Sequence, residues 1–298
     1  MMIAVVVVKG DDGVVKEQIE ELNHIAKGLR VGMITNPTSV DDDGSLSFLP
    51  DVFASGHYGG LSLSFNLTAL FAAEHGLRGE QQAGAAVHDY IDEITHLPVF
   101  SVYHGAGGYA PSAEQMTLVD ALLFDMQDVG ARFYTFVWSM TFCMEAAAKF
   151  NKTFIVFDRA NPIGLGDPQG APNTQDAGLI GRKWPNAKFG VSTRHGMTVG
   201  EIALMVNGEW LSNSVDLHVI KVPKLKRSTS MDWGNRPWVM ASPNMPTWDG
   251  TAMVYPGTGI FENVEGVSEG RGTTRPFELI GSPALSSAEV AEKLTVAM

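Results

Sequence analysis

Continuous apolar runs that end in charged residues constrain the fold of this chain more than any other feature of its sequence. The runs at residues 67–73, 121–124 and 153–157 lack the polar–apolar alternation of strands that have one solvated face. Segments with apolar residues at helical spacing, such as 16–27 and 136–150, lie between them. Strands buried on both faces that alternate with helices are typical of a parallel sheet covered by helices. The sequence therefore predicts an α/β fold with a mostly parallel sheet.

The composition is compatible with such a fold and excludes some functions. Hydrophobic residues make up 45% of the 298 residues, enough for a large core. The net charge of −12 argues against a nucleic-acid partner, because phosphate binding needs a basic surface. The apolar run at 3–8 is too short for a membrane span or a signal peptide and is predicted to be a strand. Cys143, the only cysteine, lies in an apolar helical pattern and is predicted to be a core residue.

The pattern changes after residue 212. Residues 216–222 are predicted to form a strand, and the chain beyond them is rich in Pro, Gly, Trp and Asn with little periodicity. We therefore predict a main domain at 1–212 and a smaller α+β domain at 213–298. Residues 286–298 have the pattern of a capped helix that stops mid-pattern, so the second domain is expected to be incomplete.

Polar residues follow three of the predicted strands. They are Glu74 and His75, then Asp125, Gln127 and Asp128, and then Asp158, Arg159 and Asn161. Parallel strands bring their carboxyl ends to one edge of the sheet, where ligands of α/β proteins bind. Carboxylates at that edge fit acid/base chemistry, as in glycoside hydrolysis, or a divalent metal bound by oxygen ligands. The structural alternative is that these acids cap helices or pair with Arg132 and Arg159.

Further candidates for ligand binding lie in loops and at the start of a helix. They are Arg132 and Tyr134 after Asp128, Arg194 and His195 before a capping box at 198–201, Asn244 between two prolines, and Glu269 and Arg271 between glycines. The chain lacks GxGxxG, GxxxxGK[ST], HExxH, CxxC and GxSxG, and no cofactor or metal ligand is assigned.

Taken together, the motifs resemble those of one bacterial family. FAAEHGLRG, FDMQDVGARFYTF, FDRANPIG, RHGMTVGEIA, SPNMPT and SEGRGTTRPFE have the order and spacing of the NamZ-type exo-β-N-acetylmuramidases, formerly a domain of unknown function, over roughly 31–283. The resemblance implies a Rossmann-like N-terminal domain, a smaller C-terminal domain and a pocket between them. It also implies hydrolysis of β-linked N-acetylmuramic acid (MurNAc) from the non-reducing end of peptidoglycan fragments.

The resemblance places the family's expected catalytic glutamate, in its EHG motif, on Glu74. We predict Glu74 as general acid/base, with His75, Asp125 and Asp158 as further catalytic candidates. Asp125 is the first choice, and Asp158 the second, for the group that stabilises the oxocarbenium-like transition state. The substrate-binding candidates are Arg78, Gln127, Asp128, Arg132, Tyr134, Asn161, Arg194, His195, Asn244, Glu269 and Arg271. Arginines among them are candidates for binding the lactyl carboxylate of MurNAc. Residues 262–270, ENVEGVSEG, depart from the family's EGTN-type run, so contact between this loop and the ligand stays open.

Two other functions stay open at this stage. One is a metal-dependent hydrolase that uses Glu74, Asp125, Asp128 and Asp158. The other is a non-catalytic muropeptide-binding protein, which the short C-terminus makes credible. In each case the expected partner is a peptidoglycan-derived sugar such as MurNAc-GlcNAc. The stereochemical outcome, the oligomeric state and the compartment are not predicted, although relatives are often exported.

Overall fold

The structure is a computed structural model that describes residues 14–43, 45–82, 84–103, 110–172, 190–227 and 237–297. The strand predicted at 3–8 lies outside these ranges.

Most of the described strands belong to one twisted sheet. The strands are β1 (Arg30–Thr35), β2 (His57–Tyr58), β3 (Leu61–Ser62), β4 (Asn66–Ala72), β5 (Tyr90–Ile91), β6 (Pro98–Ser101), β7 (Ala121–Asp125), β8 (Thr153–Phe157), β9 (Gln169–Pro172), β10 (Ser192–Arg194) and β11 (Asp216–Ile220). Within the described residues, seven of them form the sheet in the order β11–β8–β7–β1–β4–β6–β5. Every pairing in this sheet is parallel except that of β5 with β6.

Helices cover both faces of this sheet. The α-helices of the described residues are α1 (Val14–Ile25), α2 (Leu49–Ala54), α3 (Ala113–Met116), α4 (Phe136–Lys149), α5 (Val199–Met205), α6 (Met253–Thr258) and α7 (Ser287–Ala297). Buried side chains of α1 and α2 pack on one face, and those of α4 and α5 pack on the other. Neighbouring residues of β4 take part in both cores, with Leu70 in the first and Phe71 in the second, as expected for a strand buried on both faces. The predicted fold class is therefore confirmed.

The longest helix on the second face is α4, and its sequence explains its burial. Its apolar side chains surround the helix, and most of them are completely buried, Cys143 included. The prediction that Cys143 is a core residue is confirmed. Within the described residues, no helix combines the length and the hydrophobicity that crossing a membrane requires.

The strand that we assigned to the smaller domain belongs to the main sheet. β11 pairs in parallel with β8, from Asp216 opposite Thr153 to Ile220 opposite Phe157. The assignment was wrong because a single strand carries no sequence signal for the sheet that it joins. Beyond it, Trp238 and other residues up to Phe277 join the core around α4. A division of the chain at residue 212 stays a prediction.

Candidate active site

The loop after β4 holds Glu74 in a fixed position. Glu74 is 9% exposed, and its Oε1 accepts a hydrogen bond from the Gly84 N–H at 2.9 Å. Its Oε2 lies 2.7 Å from the hydroxyl of Thr135, the residue before α4. The carboxyl group is thus fixed between its own loop and the start of a buried helix.

His75 adopts a backbone conformation that few residues other than glycine take. Its φ is +76°, and Gly76 follows with φ +81°. The His75 Nδ1 lies 3.2 Å from the carbonyl of Gln81, so Nδ1–H donates there and leaves Nε2 as an acceptor. Burial lowers the pKa of His75, whereas the charge of Glu74 opposes this shift. His75 is therefore suited to be a neutral group in this loop near pH 7.

Arg78 anchors the same loop to two other parts of the domain. Its guanidinium donates hydrogen bonds to both carboxylate oxygens of Asp92 at 2.9 Å and to both of Asp51 at 2.7 and 3.2 Å. The ring of Phe48 lies below it, 5.0 Å from the guanidinium carbon. Burial opposes the ionisation of Asp92, but hydrogen bonds from Arg78 and Thr95 prevail and lower its pKa to about 2. We predicted Arg78 to bind substrate, and the structure instead shows it paired with two acids.

A cavity of about 190 Å³ opens beside Glu74. One wall comes from the ends of β4 and β6 and the start of α4, and the other from residues 242–277. The lining residues are Glu74, His75, Tyr103, Phe133, Tyr134, Thr135, Ser242, Asn244, Met245, Tyr255, Glu262, Arg271 and Phe277. Of the predicted site residues, the structure therefore brings Glu74, His75, Tyr134, Asn244 and Arg271 together around one space.

The Tyr134 hydroxyl is a buried polar group in the wall of this cavity. It makes no hydrogen bond of normal geometry to the described residues. Burial raises the pKa of Tyr134 well above its ordinary value, and the adjacent Ser242 hydroxyl opposes the shift. The ring is held by edge contacts with Phe136 and Tyr255, at centroid distances of 4.9 and 5.9 Å. The hydroxyl is therefore buried beside Ser242, which also lines the cavity, and Tyr134 contributes its ring to the wall.

Asp125 lies at the same edge of the sheet but not in the cavity. It is completely buried, and Arg159 donates two hydrogen bonds to its Oδ1, the one from Nε at 2.7 Å. The Ser39 hydroxyl bonds its other oxygen. β1 lies between β4 and β7, which places Asp125 roughly 10 Å from the β4 end at the usual strand spacing. Here the structure favours the ion pair with Arg159 over the catalytic role that we predicted.

Asp158 caps a helix. It accepts hydrogen bonds from the Gly200 N–H at 2.7 Å, the Thr198 hydroxyl at 3.1 Å and the Arg159 N–H at 2.9 Å. Burial raises the pKa of Asp158, and these hydrogen bonds oppose the shift. The predicted capping box between Thr198 and Glu201 is confirmed at the same helix end. Asp158 also does not line the cavity, so the structure favours its capping role over a catalytic one.

Asp128 and His195 form a buried pair at 3.0 Å. The Met197 N–H donates to the His195 Nδ1 at 3.2 Å, so Nε2 carries the proton that bonds Asp128. The other oxygen of Asp128 is buried without a hydrogen bond to the described residues. Asp128 also accepts a hydrogen bond from the Gly130 N–H at 2.7 Å, so the pair stabilises the loop after β7 and does not line the cavity.

The remaining predicted binding residues bond to backbone carbonyls. Gln127 donates to Asp128 and Ala160, Arg132 to Ala171 and Val191, Asn161 to Met197, and Arg194 to Ile163. They connect the loops that follow β7, β8 and β10. Glu269 lies just outside the cavity, where it binds the Arg271 Nε at 2.8 Å.

Sequence reasoning missed most of the wall formed by the C-terminal segment, above all Glu262. This residue begins the run 262–270, which we singled out only for departing from the family pattern. The aromatic residues Phe133, Tyr255 and Phe277 were also missed, because no periodicity marks them as a group.

The four carboxylates of the metal hypothesis do not converge. Glu74, Asp125, Asp128 and Asp158 each have separate protein partners, as described above. Within the described residues, no three His, Cys, Asp or Glu side chains are grouped so that they could hold a metal ion.

The fold and the site define a class of Rossmann-like α/β proteins with an acid-bearing pocket beside the carboxyl edge of the sheet. Residues 31–249 match the profile described as "Exo-beta-N-acetylmuramidase NamZ, N-terminal", and residues 253–297 match its C-terminal counterpart. The chain belongs to the NamZ family, and the predicted resemblance is confirmed.

Individual relatives agree with this assignment. The chain is 43% identical over 269 residues to the peptidoglycan beta-N-acetylmuramidase NamZ of Bacillus subtilis (strain 168). This match covers 90% of the chain and 60% of that relative, so the chain spans about three fifths of its length. Two crystal structures of DUF1343 family proteins from Bacteroides fragilis NCTC 9343 are similar in fold, with TM-scores of 0.81 and 0.70 at 33% and 31% identity. They cover 96% and 91% of this chain, which in turn covers 68% and 67% of theirs.

Proposed function

We propose that this chain is a glycoside hydrolase that releases terminal β-linked MurNAc from the non-reducing end of peptidoglycan fragments, with Glu74 as general acid/base. The observation that carries the proposal is a fixed Glu74 carboxyl group in an aromatic-walled cavity that also contains an arginine. Family membership and the name of the Bacillus subtilis relative support the same reaction.

The contacts of Glu74 suit a group that changes its protonation state during turnover. A hydroxyl can donate to a carboxylate and accept from a carboxylic acid, so Thr135 can bond both forms of Glu74. In the proposed reaction, the acid form donates its proton to the glycosidic oxygen as the bond to the anomeric carbon breaks. The Gly84 N–H then stabilises the carboxylate that remains.

The size and walls of the cavity fit one terminal sugar. Its volume of about 190 Å³ is below the roughly 300 Å³ of the smallest pockets that hold drug-sized ligands, which favours one sugar ring over a length of polymer. The rings of Phe133, Tyr134, Tyr255 and Phe277 offer apolar faces on which the C–H face of a sugar can stack. The Asn244 side chain also lines the cavity and can bond sugar hydroxyl groups.

Arg271 is the best candidate to bind the lactyl carboxylate of MurNAc. Of the four arginines that we predicted for this role, Arg271 lines the cavity, whereas Arg78, Arg132 and Arg194 bond protein groups elsewhere. Its Nε binds Glu269 and its Nη2 binds Glu262. Its Nη1 makes no hydrogen bond to the described residues and so can donate to a substrate carboxylate.

The first test is incubation of the purified chain with MurNAc-GlcNAc, in which we expect free MurNAc. Glu74→Gln should abolish release without loss of fold, because the substitution is nearly isosteric. Glu80→Gln is the matched control, since Glu80 lies in the same loop, contacts the Arg78 N–H and does not line the cavity. Near-normal turnover by Glu74→Gln would exclude Glu74 from the role. Binding without turnover by the wild-type chain would contradict the enzymatic proposal, and loss of turnover in EDTA would favour a metal-dependent hydrolase.

The second test concerns Arg271 and the preference for MurNAc over N-acetylglucosamine. The substrates are aryl β-glycosides of the two sugars with the same leaving group, so they differ only in the lactyl group. We expect Arg271→Ala to lose most of this preference and Arg271→Lys to keep part of it. Arg275→Ala is the control, because Arg275 is an exposed partner of Glu278. An unchanged preference in Arg271→Ala would refute this assignment.

A further inference from the structure

A second carboxyl group faces the cavity together with Glu74. Within the described residues, Glu74 and Glu262 are the acids that line it, whereas Asp125, Asp128, Asp158 and Glu269 do not. Glu262 lies in a 3₁₀ turn at Gly259–Asn263, directly after α6. The ring of Tyr255 in α6 contacts Phe133 at a centroid distance of 5.2 Å and Phe277 at 4.7 Å. These contacts fix the segment that carries Glu262 against the wall of the cavity.

The electrostatic effects of Glu74 and Glu262 overlap in the cavity. Burial raises the pKa of Glu262, and the charges of Glu269 and Glu74 add to the shift, while Arg271 opposes it. Burial also raises the pKa of Tyr255, with smaller contributions from Glu262 and Glu74. A carboxylate whose pKa moves towards the working pH is a stronger base, which suits a group that accepts a proton during turnover.

The contacts of Glu262 leave part of its carboxylate available. Arg271 Nη2 binds its Oε1 at 2.7 Å, whereas Oε2 makes no hydrogen bond to the described residues. The Glu262 side chain is 33% exposed. Arg271 can therefore keep Glu262 oriented and ionised while Oε2 accepts a proton from a group in the cavity.

We propose that Glu262 is the second catalytic carboxyl group and accepts the proton of the group that attacks the anomeric carbon. This inference rests on the proposed glycosidase activity. The bond from the anomeric carbon to the glycosidic oxygen breaks, and its electron pair leaves with the oxygen, which takes the proton of Glu74. The attacking group forms the new bond and gives its proton to Glu262. If water attacks, the proton is one of its own. If the substrate's 2-acetamido oxygen attacks, the proton comes from the amide nitrogen.

Glu262→Gln tests the proposal, with Glu269→Gln as matched control. Both acids bind Arg271, but Glu262 lines the cavity and Glu269 does not. With MurNAc-GlcNAc, Glu262→Gln should lower kcat by about 100-fold or more while KM changes only a few-fold. Glu269→Gln should stay within a few-fold of the wild type. The fall of kcat/KM towards acidic pH, where Glu262 is protonated in the wild type, should become shallower in Glu262→Gln. Added sodium formate should restore part of its turnover.

The outcomes separate this proposal from the function on which it rests. A wild-type chain that releases no MurNAc contradicts the glycosidase proposal itself. If the wild type is active and Glu262→Gln keeps more than a tenth of kcat, Glu262 has no catalytic role. Equal losses in the Glu262 and Glu269 variants, with an unchanged pH profile, would show that both acids merely orient Arg271.

Discussion

The carboxyl edge of the sheet has two halves, one at the ends of β7 and β8 and the other at the end of β4. In the first half, Asp125 pairs with Arg159 and Asp158 caps α5, so the protein itself supplies the partners of both acids. In the second half, Glu74 borders an open cavity whose far wall comes from the C-terminal segment. In both halves an acid directly follows an apolar strand. In one half the acids have structural roles, and in the other the acid is a candidate for catalysis.

Strand order and a distant segment account for this difference. β1 separates β4 from β7, which keeps Asp125 and Asp158 away from Glu74. Residues 242–277 pack against the start of α4 and enclose the space in front of Glu74 but not the space near Asp125. An acid at a sheet edge becomes available for chemistry when a second segment leaves a cavity there and the protein does not neutralise the acid.

The largest effect on stability should come from breaking the buried ion pair. Asp125→Asn leaves the guanidinium of Arg159, which is 4% exposed, without its counter-charge. We expect the free energy of unfolding to fall by roughly 3–5 kcal/mol, measured by urea denaturation.

Two controls sharpen this prediction. Asp120→Asn breaks the exposed pair with Arg30 and should cost much less. Glu74→Gln should leave the free energy of unfolding nearly unchanged, although we expect it to remove activity. If Asp125→Asn were as stable as the wild type, the structural role that we assign to Asp125 would be wrong.

An intermediate effect is expected at the hydroxyl that holds Glu74. Thr135→Val keeps the shape of the side chain but removes the bond to Oε2 at 2.7 Å. Because loss of this bond lets the Glu74 carboxyl group leave its position, kcat should fall roughly 10- to 100-fold. Thr135→Ser keeps the hydroxyl and should retain most of the turnover of MurNAc-GlcNAc. Equal activity of the Val and Ser variants would mean that this bond is not used.

The smallest effect concerns Asp158 and the pH dependence of stability. Because burial raises the pKa of Asp158 in the folded state, the folded protein binds its proton more tightly than the unfolded chain. Wild-type stability should therefore decline as pH rises from the ordinary Asp value near 3.8 through the raised value. Asp158→Asn should remove this part of the decline, since one amide oxygen can still accept the bonds from Gly200 and Arg159.

Thermal or urea unfolding from pH 3 to pH 8 measures the difference between Asp158→Asn and the wild type. Asp120 should change stability with pH in the opposite direction, because hydrogen bonds from Arg30 lower its pKa to about 2. Its contribution is present above the unfolded pKa and is lost as pH falls towards 2. A constant difference between Asp158→Asn and wild type over the whole range would contradict the raised pKa.

The sequence predicted the sheet and its helices well, because burial on both faces produces apolar runs and helical spacing that can be recognised locally. The position of Glu74 after β4 followed from the same local pattern. Whether Asp125 joins Glu74 depends on the position of β1 in the sheet, which no local pattern records. Glu262 lies far along the chain, in a segment without periodicity, and reaches the cavity only through tertiary packing. A sequence on its own therefore identifies acids at strand ends and does not tell which of them share a pocket.

The hydrogen bonds of Arg78 to Asp51 and Asp92 have a consequence for binding. Together with the contacts between His75 and Gln81, they attach the Glu74 loop to the rest of the domain through protein groups alone. The loop's conformational entropy is therefore lost when the protein folds and not when a sugar arrives. In the proposed reaction, the binding energy of the sugar can then stabilise the transition state and is not spent on ordering the loop. A substitution of Arg78 should therefore weaken the proposed activity although Arg78 lies outside the cavity.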